Sequence, residues 1–136
     1  MSKQLVFLQK SHSSRVYITT LQQATQHKGL FPTRKSFGQA SVCAFGGSKV
    51  SYFATCEEEH ADGNVHYHCS LKLVEPCRWG VAKKYLSENF GVNVNFSLSP
   101  EEGGGYIPAY RYICKEDKNV FHGSCLERHP DFKMLG

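Results

Sequence analysis

Hydrophobic and polar positions along this chain follow two periods, one of two residues and one of three to four. "RVYITTLQQ" (Arg15 to Gln23) is rich in β-branched residues and predicts a strand. "FPTRKSFGQASVCAF" turns at Pro32, offers Thr33 as an N-cap, and sets Phe37, Ala40, Ala44 and Phe45 at helical spacing. "KVSYFATCEEE" (Lys49 to Glu59) predicts a second strand, Asp62-Gly63 a turn, and "HYHCSLKLVE" the returning third strand of a hairpin. In "CRWGVAKKYLSENFG" Trp79, Ala82, Tyr85, Leu86 and Phe90 form the inner stripe of a helix that Gly91 stops. "VNVNFSLS" alternates Val92, Val94, Phe96 and Leu98 as a fourth strand. After "PEEGGG", "YIPAYRYICKEDK" predicts a last helix with Pro108 in its first turn. The order β-α-β-β-α-β-α predicts an α+β protein, a ferredoxin-like antiparallel sheet with helices packed against it.

Composition narrows the class without deciding the function. A chain of 136 residues, 40% hydrophobic and 21% charged, is long enough for one domain with its own core and is not disordered by composition. That domain is expected to have its core at about 15–121 and a less ordered or accessory tail at 122–136, and to be excised from something longer. A formal charge of +4 permits nucleic-acid binding but does not by itself argue for it. Much of the acidity is local, in Glu57, Glu58, Glu59 and Asp62, which leaves the remainder more basic. Six cysteines occur with no C-x-x-C, and Cys43, Cys56, Cys69 and Cys114 lie in apolar periodic segments. Reduced, buried thiols in an intracellular, membrane-free protein are therefore expected. The N-terminal apolar run is too short and polar for a signal peptide, and no stretch is long enough to span a bilayer.

Candidate chemistry begins in the third strand. Alternation puts His66, His68, Ser70 and Lys72 on one face and Tyr67, Cys69, Leu71 and Leu73 on the other. The second set reads as core. The first carries two imidazoles that can converge on one ion, and a carboxylate from the adjoining strand would complete a three-ligand site with open positions. Glu57, Glu58 and Glu59 all lie where that strand must pass. A two-residue loop pairs Glu59 with His66 and Glu57 with His68. A three-residue loop with a glycine bulge pairs His60 with His66 and Glu58 with His68. Parity alone leaves both open, and solvated surface histidines are the plainer alternative.

The last helix adds Tyr106, Tyr110 and Tyr112. Tyr110 falls with Ile107, Ile113 and Cys114, an apolar group expected in the core, whereas Tyr112 points elsewhere with Lys115 three residues on. A tyrosine beside a lysine can meet a metal-bound phosphate: the phenolate attacks in line and the cations offset charge. Arg78, Trp79, Lys83, Lys84 and Arg111 are candidates for base stacking and phosphate contacts, against a reading in which Trp79 belongs to the core. His122, Cys125 and His129, joined by Cys114, offer zinc ligands at no strong spacing, and a loose tail is the favoured expectation there.

Taken together, "EEHADGNVHYHCSLKL" and "YICKED" resemble the metal-binding hairpin and the Tyr-x-x-Lys motif of the HUH endonucleases. These enzymes nick single-stranded DNA in rolling-circle replication and transposition. The resemblance implies Glu58, eight residues before His66, as the third metal ligand, with Tyr112 as nucleophile and Lys115 as its partner. "EEHADGNVHYH", "KKYLSENFGVNVNFS" and "AYRYICKEDK", in this order, are similar to the nuclease domain of Replitron transposons, over roughly Arg15 to Asp131. Tyr67 departs from the aliphatic residue common between the histidines, and "YITTLQQ" echoes the family's first-strand motif only loosely. The implied activity is a single-stranded DNA endonuclease and strand-transferase using Mg²⁺ or Mn²⁺ and passing through a 5′-phosphotyrosine link. The expected setting is a monomeric domain inside the cell, in the nucleus if the source is eukaryotic. A non-catalytic single-stranded nucleic-acid-binding module of the same fold is the alternative. A cupin-like His-x-His oxygenase would want more strands, a further downstream histidine in a barrel and no role for Tyr112, and the two helices between strands argue against it.

Overall fold

The computed structural model describes residues 13–47, 49–61, 63–98, 105–114 and 121–124. The strands are β1 (Ser13–Leu21), β2 (Val50–Glu59), β3 (Val65–Arg78), β4 (Asn95–Ser97) and β5 (Phe121–Ser124). The helices are α1 (Arg34–Ala44), α2 (Gly80–Phe90) and α3 (Tyr106–Cys114), with a 3-10 turn at Ala24–His27. All strand pairs are antiparallel, in the order β4-β1-β3-β2-β5. The structure is thus an α+β protein whose long third strand lies at the centre of one antiparallel sheet.

Helix ends fall where local chemistry puts them. The Thr33 side chain accepts from the Ser36 N–H, and the Ser36 hydroxyl accepts from the Thr33 N–H, so two backbone donors at the start of α1 are satisfied reciprocally. Gly91, at φ 66°, ends α2 in the left-handed region and returns its N–H to the Ser87 carbonyl. Gly38 lets α1 lie close on β2, since a Cβ there would overlap the Thr55 methyl group.

Strand alternation splits the sheet into two differently furnished faces. On one, Tyr17, Leu21, Phe53, Tyr67, Cys69, Leu71 and Leu73 pack with Phe37 and Ala40 of α1 and Ala82 and Leu86 of α2. Tyr17 donates its hydroxyl to the Cys77 carbonyl at 2.6 Å, and burial pushes that phenol up to about 12. On the other face Val16, Ile18, Tyr52 and Cys56 pack with Tyr106, Ala109 and Ile113 of α3. Each large apolar side chain fully buried in this way is worth about 1.5–3 kcal/mol. The two clusters therefore fix which side of the sheet each helix covers.

Several expectations are refined. Val92, Val94 and Phe96 are buried in alternation as predicted, but only Asn95–Ser97 pair with β1, so the fourth strand is short. An irregularity between Val50 and Tyr52 returns Val50 to the α1 face. Phe121–Ser124, which spans the expected end of the core and the first residues of the expected tail, pairs with Tyr52–Thr55 as an edge strand. The thiols are also not all alike. Cys56 is disulfide-bonded, Cys69 is buried and free, and Cys43 is free but exposed. An apolar segment reports burial of its neighbours and does not report the redox state of a thiol within it. Among the described residues no helix is long and apolar enough to cross a membrane.

Candidate metal centre

The position of the candidate ligands follows from the β2–β3 register. Glu58 pairs with His66 and Cys56 with His68, which differs from both pairings expected from the sequence. The His60 N–H bonds the Asn64 carbonyl at 2.8 Å, and the Gly63 N–H bonds the His60 carbonyl at 2.9 Å, with Gly63 at φ 86°. Three residues lie beyond the His60–Asn64 link, as the glycine-bulge alternative required. A loop of that length sets His60 across from Asn64 and therefore Glu58 across from His66, two places along from the pairing expected for it. A shift of two preserves the face, so Glu58 still shares the side of His66 and His68. Glu57, across from Tyr67, lies on the opposite side, where Arg34 of α1 approaches its Oε2 at 3.4 Å. Glu59 is exposed across from Val65.

One ligand atom from each of Glu58, His66 and His68 lies within 4.8 Å of the other two. Donors around one divalent cation at about 2.0–2.2 Å are at most about 4.4 Å apart, so small side-chain rotations bring this group onto an ion. The donor set of two imidazoles and a carboxylate is chemically suited to that role. His68 is held below the ordinary histidine range, chiefly by burial and further by His66 and His60, with Glu58 opposing. It is therefore neutral at neutral pH, as a ligand must be. Thr20 Oγ1 lies 3.1 Å from Nδ1 of His68, and Nε2 of His68 lies 3.9 Å from Glu58 Oε1. With Nε2 turned to the cluster, a ligating His68 carries its proton on Nδ1 and donates it to Thr20. The group can hold a metal ion; the donors do not specify which.

The same three residues line a cavity of about 240 Å³ together with Thr20, Gln22, Asn95, Ser97, Tyr112 and Ile113. Tyr112 and the metal group thus come from separate elements to one recess. The core face of α3 is Tyr106, Ala109 and Ile113. Tyr106 is the deeply buried tyrosine: it accepts from the Ser70 hydroxyl at 3.0 Å and meets Tyr52 edge-on at 4.3 Å. Tyr110, predicted to be core, is only partly buried and stacks on Tyr106 at 6.3 Å, and burial raises its phenol. Lys115, Cys125 and His129 lie outside the described residues, as does the side chain of His122.

The basic residues divide. Arg111 is exposed on α3, next to Tyr112. Arg78, Lys83 and Lys84 belong to the end of β3 and to α2, which covers the other side of the sheet. Trp79 is 9% exposed, with its ring 5.6 Å from Phe96 and the Lys83 ammonium 5.7 Å above it. Its place is in the core. Lys84 approaches Glu88 one turn along, at 3.8 Å, with both side chains exposed. Thr20, Gln22, Asn95 and Ser97 carry no sequence signal for the cavity, because they reach it only through the pairing of β1 with β3 and β4. The chain matches no known family profile, and no curated protein matches it.

Proposed function

We propose that this domain is a metal-dependent endonuclease and strand-transferase for single-stranded DNA, of the HUH kind and resembling the Replitron nuclease domain. The observation that carries the reading is that Tyr112 lines the same recess as Glu58, His66 and His68. The succession β1-α1-β2-β3-α2-β4, with β3 between β1 and β2, supports a ferredoxin-like frame for it.

Glu58, His66 and His68 would hold Mg²⁺ or Mn²⁺. A cation held there would supply charge neutralisation and polarisation of the scissile phosphate. Tyr112, its phenolic proton lost to solvent, attacks phosphorus; the bond to the 3′ oxygen breaks and that oxygen takes up a proton. The products are a free 3′-OH and a 5′-phosphotyrosine, and a 3′-OH can reverse the step to join strands without ATP. Arg111 would meet the strand's phosphates beside the nucleophile, with Lys115 as a further cation. Arg78, Lys83 and Lys84 would contact only DNA that continues around the sheet. Such chemistry belongs inside the cell, in a nucleus for a eukaryotic source.

Incubation with a panel of single-stranded oligonucleotides and Mn²⁺ tests this directly. An SDS-resistant protein–DNA adduct that needs both metal and Tyr112 is the expected result. Oligonucleotide binding with no adduct under any metal would replace the reading with a non-catalytic binding module.

A further inference from the structure

A third imidazole stands beside the metal group without belonging to it. His60 follows β2 two residues after Glu58, and its Nε2 lies 3.0 Å from Glu58 Oε1. Its ring also lies against that of His66, with centroids 3.9 Å apart and planes inclined by 36°. A carboxylate only accepts hydrogen bonds, so a His60 that bonds Glu58 at this distance does so with its proton on Nε2.

We propose that His60 is a positioning residue for the metal group, holding the Glu58 carboxylate by a hydrogen bond and the His66 ring by stacking. The proposal rests on reading Glu58, His66 and His68 as ligands. Glu58 brings the group's only negative charge on a rotatable stem at a partly exposed position. A free carboxylate there loses rotamer entropy when it binds a cation. His60 imposes that order beforehand and restrains a second ligand with the same side chain. Each carboxylate oxygen has two lone-pair sites, so Oε1 can keep the His60 bond and still donate to a cation.

The test is calorimetric titration of the whole chain with Mn²⁺ alone, comparing wild type, His60→Ala, His60→Gln and His66→Ala, with thermal unfolding recorded without metal. His60→Ala should bind about 10–100-fold more weakly, as outer-shell partners typically do, with an unchanged Tm. His60→Gln keeps an N–H donor and should recover much of the loss. An Ala variant that binds like wild type, or a Gln variant as weak as Ala, overturns the assignment while leaving the metal site intact. A wild-type chain that binds no Mn²⁺, or binds it as well after His66→Ala, overturns the metal site itself.

Discussion

Glu58 stands directly across the β2–β3 ladder from His66, while its neighbour Glu57 projects through to the other face, where Arg34 approaches it at 3.4 Å. Three consecutive glutamates are therefore not three equivalent ligands. Glu58→Ala should weaken metal binding by more than the roughly 10–100-fold typical of an outer-shell partner. Glu57→Ala and Glu59→Ala should leave it within a few-fold, since each acts only through its charge at a distance. Titration calorimetry on the three variants decides the matter, and an effect of Glu57→Ala equal to that of Glu58→Ala would contradict the register.

The tyrosines of α3 should separate by role. Tyr112→Phe removes the one phenolic oxygen among the described residues that line the recess and should abolish the SDS-resistant adduct with metal affinity and Tm unchanged. Tyr110→Phe should retain adduct formation. Tyr106→Phe leaves the buried Ser70 hydroxyl without its acceptor and should lower stability by about 1–2 kcal/mol, read by denaturant unfolding. Loss of the adduct in Tyr110→Phe alone would place the nucleophile on the wrong side of the helix.

Thr20 offers a subtler handle. Thr20→Val keeps the shape of the side chain but removes the oxygen 3.1 Å from Nδ1 of His68. Metal affinity should fall by about 10-fold or more, because the imidazole loses the bond that fixes its tautomer and ring orientation. A Thr20→Ser variant should restore it. Affinity unchanged in the valine variant would mean that packing alone orients His68.

Tyr67, between the two histidines, buries its ring against Phe37 with centroids 6.2 Å apart. Its hydroxyl is buried with no hydrogen-bond partner among the described residues. Tyr67→Phe removes that orphan group and should raise stability by about 1 kcal/mol, measured by chemical denaturation, with metal binding intact. A loss of stability would reveal a partner for the hydroxyl.

Much of this architecture was legible because local chemistry and burial agreed. Thr33 announced α1, Gly91 ended α2, and the alternation through His66 to Leu73 assigned both faces of β3 correctly. What failed depended on partners distant in sequence. The alternation of Val92, Val94 and Phe96 records burial, which needs no ladder, and so overstated β4. Choosing among Glu57, Glu58 and Glu59 required a register that a hairpin loop can set in steps of one residue, and neither pairing deduced from loop length was the one found. The apolar helical neighbours of Tyr110 predict a core position for it, yet the sheet meets α3 along Tyr106, Ala109 and Ile113. Trp79 kept two meanings in the sequence and has one in the fold.

The two-sidedness of β2 and β3 also constrains how such a gene could drift. One codon inserted in β2 between Cys56 and Glu58, with the ladder towards the hairpin held, would carry the upstream part of the strand through the sheet and present Cys56 and Tyr52 to the α1 side. Two codons inserted together would restore every residue to its side. Lineages descended from this hairpin should therefore vary in strand length by even steps and keep their freedom for odd ones in the loop, where no face is at stake.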